Sequence, residues 1–340
     1  MTNTLLVTGS GGLVGSECIR KFSSKYDQII GIDNNLRQYW FGHQGSTHAI
    51  IGNLTQKYKN YKHFYEDVRS KFALEKIIEE YKPKAIIHCA GQPSHDKSAE
   101  IPGEDFDVNA VGTINLLEAV RKLIPDALFV FLSTNKVYGN NTNRFHFIEQ
   151  ETRYELVNFD GFDESLSLDC AIHSPFGVSK TAADLMVQEY NLYYGLKTVC
   201  FRCGCITGKN QKGVEQHGFL NYLCWCITNN KEYNVYGFKG KQVRDNIHVS
   251  DLVNAFEFWL DNPNSGVYNI GGGIENSCSI IEIANYVKEK NRIVELSFHA
   301  NPRIGDHIYY TTNYKKFSTC YPQWKINYPL VQILNELLDV

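Results

Sequence analysis

The sequence predicts an α/β protein with a doubly wound parallel sheet and a smaller C-terminal lobe. Short apolar runs alternate with longer helical stretches through the first two hundred of its 340 residues, and this order predicts parallel strands joined by helices. The runs at residues 85–87 and 128–132 are continuously apolar, as expected of strands that helices cover on both faces. After about residue 203 the pattern breaks into shorter pieces rich in Gly, Asn and aromatic residues, which indicates a second lobe.

The individual elements follow from these apolar runs and from helical spacing between them. Strands are predicted at residues 4–8, 28–33, 63–66, 85–89, 128–133 and 198–202, and helices at 12–22, 71–81, 106–122 and 175–194. We expect residues 1–200 to form the first domain and residues 201–340 mainly the second lobe. Later segments, such as about 245–270, are expected to return to the first domain.

Composition excludes several classes of function. A net charge of −3 gives no reason to expect nucleic acid or an anionic membrane as partner, and no run approaches the roughly 18 apolar residues of a membrane span. No secretory signal is visible, so the ten cysteines are predicted to be reduced and the protein cytoplasmic. No metal is expected, because Cys203-x-Cys205 and Cys224-x-Cys226 lack the spacing of zinc sites.

A glycine-rich turn separates the first strand from the first helix. Gly9 permits the tight turn, Gly12 lets the backbone approach a pyrophosphate, and Gly15 lets helix and strand pack closely. Leu13 and Val14 begin the helix, whose N-terminal amides and partial positive charge favour an anion. The turn therefore predicts a phosphate-binding site.

Asp33 ends the second strand, 18 residues beyond Gly15, and Asn34 follows it. A carboxylate there can accept hydrogen bonds from both adenosine ribose hydroxyls and would repel a 2′-phosphate, which selects NAD over NADP. Strand, turn, helix, strand and terminal acid occur in the order of a dinucleotide-binding unit, so NAD is the predicted cofactor.

Further segments carry a family resemblance across nearly the whole chain. The spacing Gly-x-x-Gly-x-x-Gly and the segments at residues 67–69, 88–92, 107–113, 133–139, 244–251 and 268–273 resemble the extended branch of the short-chain dehydrogenase/reductase family, in which the first domain is a Rossmann-type NAD-binding domain. The resemblance implies an adenine-contacting turn, a loop under the cofactor and a helix behind that loop. Their residues here are Asp67, Val68, Ala90, Gly91, Gln92 and Asn109.

Within this branch, the residues after the catalytic hydroxyl distinguish the subgroups. Dehydratases carry Asp-Glu there, whereas this chain has Asn135-Lys136 and so lacks the carboxylates for expelling water. The string Thr-Asn-Lys-Val-Tyr-Gly, with matches near residues 151–154, 163–165, 173–175 and 240–245, resembles the CDP-paratose 2-epimerases. The resemblance implies a CDP-deoxyhexose substrate that is oxidised at C2, turned over and reduced again. A UDP-sugar 4-epimerase and a non-catalytic NAD(H)-linked sensor or interaction protein remain alternatives.

The catalytic residues of the family are a Ser or Thr hydroxyl and a Tyr-x-x-x-Lys pair. Thr134 and Lys180 match the hydroxyl and the lysine, but Phe176 occupies the tyrosine position and has no oxygen to ionise. Three interpretations are open: an engineered Tyr-to-Phe variant, which we favour, a natural enzyme that uses another group such as Thr134 or Tyr138, and a binding protein that has lost catalysis.

The second lobe is expected to bind a nucleotide sugar. Arg244 and Arg303 are candidates for the diphosphate, since a guanidinium can bind phosphate oxygens bidentately. Gln92, Thr134, Asn135 and Lys136 are candidates for the sugar, whereas His88 and His173 are expected to make structural hydrogen bonds. By analogy with the family, we expect a homodimer or homotetramer that assembles through the helices at 106–122 and 175–194.

Overall fold

A computed structural model describes residues 2–211, 213–215 and 217–339. Its strands are β1 (Thr4–Thr8), β2 (Gln28–Ile32), β3 (Tyr61–Phe64), β4 (Ala85–His88), β5 (Leu128–Thr134), β6 (Ile148–Glu149), β7 (Tyr154–Glu155), β8 (Lys197–Cys203), β9 (Cys205–Thr207), β10 (Tyr233–Tyr236), β11 (Val243–His248), β12 (Gly266–Ile270), β13 (Ser277–Cys278), β14 (Leu296–His299) and β15 (Tyr309–Tyr310).

The α-helices are α1 (Leu13–Phe22), α2 (Leu36–Phe41), α3 (His48–Lys57), α4 (Lys71–Tyr81), α5 (His95–Glu100), α6 (Pro102–Phe106), α7 (Gly112–Leu123), α8 (Ser174–Tyr194), α9 (Phe219–Thr228), α10 (Val249–Asp261), α11 (Ile280–Glu289), α12 (Lys315–Cys320) and α13 (Leu330–Leu338). A π-helical turn, Asp107–Val111, joins α6 to α7. Short 3₁₀ segments lie at His43–Gly45 and Phe238–Gly240, and the stretch Asn135–Arg144 contains 3₁₀ turns on either side of a kink at Gly139 and Asn140.

The chain divides into two compact units. Unit 1 contains the residues up to Thr134, together with Pro175–Arg202 and Val253–Tyr268, and unit 2 contains Asn135–Ser174, Cys203–Leu252 and the residues from Asn269 onward. Val253–Tyr268, which lies within the later segment 245–270, belongs to unit 1.

Unit 1 is built on a seven-stranded sheet in the order β12-β8-β5-β4-β1-β2-β3. The pairs β1–β2, β1–β4, β2–β3 and β4–β5 are parallel, which confirms the predicted doubly wound α/β class. All five residues of β1 are buried, as expected of a central strand covered on both faces. The carboxyl ends of the parallel strands share one edge of the sheet, where ligands bind in such folds.

Unit 2 contains shorter sheets and two apolar clusters. Strand β11 pairs with β9, β13 and β15, and β10 pairs with β14. One cluster packs α9, α11 and α13 together through residues such as Leu223, Ile283 and Ile333. In the other, Phe162 stacks on Tyr310, with ring centroids 5.6 Å apart.

The observed division corrects the predicted one at residues 135–174. These residues were predicted to lie in the first domain, but they belong to unit 2. The reason is packing, because Tyr138 and Phe162 are buried in the same cluster as Val243 and Tyr310.

Candidate active site

The glycine turn at the end of β1 has the geometry of an anion cradle. Gly9 has a φ of +65°, a left-handed conformation that favours glycine. A Cβ atom on Gly15 would lie 2.2 Å from the Gly9 carbonyl oxygen, so only glycine permits this approach of α1 to the turn. No side chain caps the N-terminus of α1 at Gly12, and the amides of Leu13 and Val14 begin the helix there. These features fit the pyrophosphate of a dinucleotide.

Asp33 lies directly beside this turn, just after the end of β2. Its Oδ2 accepts a hydrogen bond from the Gly11 amide at 2.9 Å, and its Oδ1 accepts one from the Asn35 amide at 2.8 Å. The half-buried carboxylate is thereby held at the edge of the turn, in the position expected of a ribose-binding acid.

The predicted adenine-contacting turn follows β3 and is held by charged hydrogen bonds. The Asn34 side chain donates to Asp67 at 2.8 Å, and the Arg69 guanidinium donates to the same carboxylate at 2.6 Å. Burial by itself raises the pKa of Asp67, but the bonds from Arg69 and Asn34 outweigh it and lower the pKa. Val68 is buried in the apolar core of unit 1, so the turn is fixed on both sides.

The loop after β4 packs closely on the π-helical turn. A Cβ atom on Gly91 would lie 2.8 Å from Asn109 Oδ1, which explains why the residue after Ala90 is a glycine. Asn109 Oδ1 accepts the Gln92 amide hydrogen bond at 2.9 Å, and Asn109 therefore supports the loop from behind.

The predicted contact of Gln92 with the sugar finds no support in the structure. The Gln92 side chain is fully buried. Its Nε2 donates to Ser94 O at 2.9 Å and to Asp105 Oδ1 at 3.1 Å, and its Oε1 accepts from the Ser94 amide. The side-chain polar atoms of Gln92 are therefore bound within the loop and to Asp105 of α6.

The two histidines beside the motifs make structural hydrogen bonds, as predicted. His88 lies between the hydroxyls of Thr8 and Thr113, at 2.6 Å from Nδ1 and 3.0 Å from Nε2. Burial and the nearby Lys180 ammonium lower the pKa of His88 to about 3, so its ring is neutral near pH 7. His173 Nε2 lies 2.8 Å from Leu168 O.

The family's catalytic positions meet at the carboxyl end of β5 and the first turns of α8. Thr134 ends β5, and Lys180 Nζ donates to Leu132 O of the same strand at 2.7 Å. The Lys180 ammonium also lies 4.2 Å from the centre of the Phe131 ring. Phe176 lies one turn before Lys180 on the same helix face. Its phenyl ring occupies the tyrosine position of the motif and brings no ionisable oxygen there.

Tyr138, named above as another group that could act as the base, lies in a core cluster of unit 2. Its side chain is fully buried in unit 2, and its hydroxyl donates to Asn269 Oδ1 at 2.7 Å. A buried hydroxyl that is bound in the core cannot reach a substrate proton without rearrangement.

The sugar and diphosphate candidates of unit 2 form a charged cluster. Arg244 Nη2 lies 2.7 Å from Asp306 Oδ1, and Lys136 Nζ lies 3.3 Å from the same oxygen. Burial and the Arg244 guanidinium lower the pKa of Lys136, although Asp306 opposes them. Burial alone raises the pKa of Asp306, but Arg244 and Lys136 outweigh it and hold the pKa far below its usual range. The guanidinium of Arg244 and the ammonium of Lys136 are therefore both paired with the Asp306 carboxylate.

Arg303 and Asn135 belong to the same unit. Arg303 precedes Asp306 by three residues, and its guanidinium lies 4.5 Å from the centre of the Tyr236 ring. Asn135 is buried at the start of its 3₁₀ segment. The structure thus brings Lys136 and Arg244 together at Asp306 and places Arg303 on the adjoining segment.

Asp105, Ser179 and Asp306 contact the predicted site residues but were not predicted. Asp105 and Ser179 lie in different helices, and no motif joins them. Asp306 lies three residues after the candidate Arg303, and this proximity was the one available signal for it.

Among the described residues, no group of three or more His, Cys, Asp or Glu side chains could hold a metal ion. Within the same residues, none of the helices has the length and apolar character needed to cross a bilayer.

Comparison with known proteins identifies the family. The model of the NAD dependent epimerase/dehydratase family matches residues 5–271, which include the glycine turn, Thr134 and Lys180. The chain belongs to this family. NAD is therefore its cofactor, in agreement with the fit of the glycine cradle and Asp33.

Individual relatives cover almost the whole chain. The CDP-paratose 2-epimerase of Salmonella typhi is 33% identical over 324 residues, which are 92% of both chains. The putative UDP-glucose 4-epimerase of Methanocaldococcus jannaschii is 28% identical and covers 89% of this chain and 87% of its own.

A solved structure agrees in fold. The UDP-glucose 4-epimerase of Thermus thermophilus, solved with NAD, has a TM-score of 0.79 at 24% identity and covers 99% of this chain and 98% of its own.

Proposed function

We propose that this chain is an epimerase of a nucleotide sugar and that its substrate is a CDP-deoxyhexose, inverted at C2 in the conversion of CDP-paratose to CDP-tyvelose. The observation that carries the proposal is the 33% identity to a CDP-paratose 2-epimerase over 92% of both chains. A match over 92% of the chain includes much of unit 2, which contains the candidates Asn135, Lys136, Arg244 and Arg303. The proposal is consistent with Asn135-Lys136 in place of the carboxylates that a dehydratase needs.

The nucleotide diphosphate is assigned to Arg244 and Arg303. Arg244 already binds one carboxylate oxygen of Asp306 through a single guanidinium nitrogen, at 2.7 Å, and a guanidinium can also bind phosphate oxygens. Lys136 adds a second positive charge, so the three side chains Lys136, Arg244 and Asp306 carry a net charge that attracts an anion.

The chemistry at the sugar is assigned to unit 1. When bound, NAD supplies the acceptor and donor of hydride that inversion at a carbinol carbon requires. We assign the orientation of the sugar oxygen to Thr134 at the end of β5, and the Lys180 ammonium favours an oxyanion near it. Phe176 cannot take the hydroxyl proton, and the loss of a general base costs on the order of 10²–10⁴ in rate. We infer that this chain catalyses slowly.

A UDP-sugar 4-epimerase is the second candidate. It is favoured by the similarity to the Methanocaldococcus jannaschii protein over 89% of this chain. The two candidates differ in the nucleotide and in the sugar carbon that is inverted, so product analysis separates them.

The experiment compares the Phe176→Tyr variant with the unmodified chain on CDP-paratose and on UDP-glucose, with products identified by NMR. We expect the variant to form the 2-epimer of CDP-paratose at least about 10²-fold faster than the unmodified chain. Formation of the 4-epimer of UDP-glucose alone would favour the second candidate. No turnover of either sugar would favour an NAD(H)-binding protein without catalysis.

We also propose that two copies assemble through α8 and the helix pair α6 and α7. Helix α8 exposes apolar side chains, among them Leu185 and Leu192, which are 45% and 74% exposed. Exposed apolar surface of this kind is typical of an interface. Light scattering should give the mass of a dimer or tetramer, and charged substitutions at Leu185 and Leu192 should reduce it to that of a monomer.

A further inference from the structure

A buried carboxylate, Asp105 of α6, connects three separate segments of unit 1. Its side chain is fully buried. Its Oδ1 accepts hydrogen bonds from Gln92 Nε2 and Asn109 Nδ2, each at 3.1 Å, and its Oδ2 accepts one from Ser179 Oγ at 2.5 Å. The three donors belong to the loop after β4, to the π-helical turn and to α8.

The donors are also bound to one another. Asn109 Nδ2 lies 3.0 Å from Ser179 Oγ and 3.2 Å from Gln92 O, while Asn109 Oδ1 accepts the Gln92 amide hydrogen at 2.9 Å. Asp105 is the common acceptor of this network, and hydrogen bonds to a charged acceptor are roughly twice as strong as neutral ones. The network therefore fixes the distance between the loop and α8 more firmly than packing alone.

Each end of the network adjoins a functional position. Gln92 follows Gly91 in the predicted cofactor loop. Ser179 precedes Lys180, and its Oγ also lies 3.0 Å from Phe176 O. Asn109 reaches both ends from a π-helical turn, a rare conformation that is frequently found at functional sites.

We propose that Asp105 is a positioning residue for the cofactor: it holds the loop that carries Gly91 and Gln92 in register with the turn of α8 that carries residue 176 and Lys180. The proposal concerns the NAD site that family membership establishes. It does not depend on the identity of the sugar. The positioning role can therefore fail while the proposed function holds, and the proposed function can fail while the positioning role holds.

The charge of Asp105 gives this role a measurable pH dependence. Burial raises the pKa of Asp105 to about 6, although the hydrogen bond from Ser179, the Lys180 charge and the bond from Asn109 oppose the rise. Lys180 of α8 is the charged group that acts on it, and the loop and the π-helical turn contribute the neutral Gln92 and Asn109. Protonation would place an O–H donor among three donors, so the network must rearrange below about pH 6.

The experiment measures NADH affinity by fluorescence titration at pH 5.5 and 7.5. It compares the unmodified chain with Asp105→Asn, which keeps the size of the side chain and removes its charge. Asp126→Asn is the matched control, because Asp126 is exposed and lies before the start of β5. At pH 7.5 we expect Asp105→Asn to bind NADH about tenfold or more weakly and the control to bind as the unmodified chain does. The unmodified chain should lose affinity at pH 5.5, and Asp105→Asn should lack that dependence.

Unchanged NADH affinity in Asp105→Asn, or the same pH dependence in both proteins, would overturn the proposal. If Asp105→Asn does not fold, Ser179→Ala provides the second test, because it removes the hydroxyl that joins Asp105 to α8 and leaves the carboxylate in place. Ser179→Ala should fold and bind NADH several-fold more weakly at pH 7.5. Natural affinity in that variant would likewise overturn the proposal.

Discussion

Replacing Gly15 by alanine should weaken NAD binding with little effect on the rest of the fold. The added Cβ would lie 2.2 Å from Gly9 O, 2.8 Å from Gly9 C and 2.9 Å from Ser10 Cα. These are backbone atoms of the cradle itself, so the turn or α1 must move by roughly 1 Å to restore ordinary contact. Overpacking of this kind costs about 1–3 kcal/mol, and each 1.4 kcal/mol corresponds to about tenfold in affinity. We expect NADH to bind about 10- to 100-fold more weakly.

The assay is a fluorescence titration with NADH, accompanied by thermal unfolding. Gly52→Ala is the matched control, since Gly52 lies in α3 and a Cβ there would meet nothing within 4 Å. The control should bind NADH normally and be stabilised by about 0.5–1 kcal/mol through helix propensity. If the NADH affinity of Gly15→Ala were within twofold of that of the unmodified chain, the glycine turn would not be the binding site of the cofactor pyrophosphate.

Three further predictions concern single carboxylates. Asp33→Asn should lower the ratio of NADH affinity to NADPH affinity by roughly tenfold, because it removes about one to two kcal/mol of repulsion between the carboxylate and the 2′-phosphate. Equal affinity of the unmodified chain for NADH and NADPH would contradict this prediction. Asp184→Asn breaks the buried pair with Arg202, whose atoms are 2.7 Å apart, and should lower the free energy of unfolding in urea by about 3–5 kcal/mol, whereas Asp339→Asn at an exposed pair should leave it unchanged. Burial raises the pKa of Asp245 to about 6, so the stability that its protonated form contributes is present below the unfolded-state pKa and is lost as the pH rises through about 6. Between pH 4 and 6.5 the free energy of unfolding of the unmodified chain should fall by about 1–3 kcal/mol relative to that of Asp245→Asn. Parallel curves of unfolding free energy against pH for the two proteins would refute this prediction.

The parallel sheet was predictable because its strands and turns carry strong local signals. The turn from Gly9 to Gly15 and the acid at Asp33 identified the first βαβ unit without any long-range information. Helices α2 and α3 were missed. Helix α2 has six residues and follows Asn35 in a left-handed conformation, and α3 contains Gly52 and β-branched residues of low helix propensity. The third strand begins two residues earlier than predicted, at Tyr61.

The chemistry of the site was predictable where residues are close in the sequence. Phe176 and Lys180 share a helix face at a spacing of four, so the missing tyrosine was evident before the fold was known. The network around Asp105 was not, because Gln92, Asn109 and Ser179 approach it from different elements. The assignment of residues 135–174 failed for a similar reason: their place in unit 2 depends on aromatic packing between Phe162 and Tyr310, which are far apart in the chain.

We propose that this chain has the architecture of a redox epimerase and that one position, Phe176, limits its rate. The decisive measurement incubates Phe176→Tyr with CDP-paratose that carries deuterium at C2, in ordinary water. We predict a 2-epimer that retains the deuterium, since the hydrogen leaves and returns as hydride within the site. An unreacted substrate, or a 2-epimer whose deuterium has exchanged with solvent, would refute the proposal.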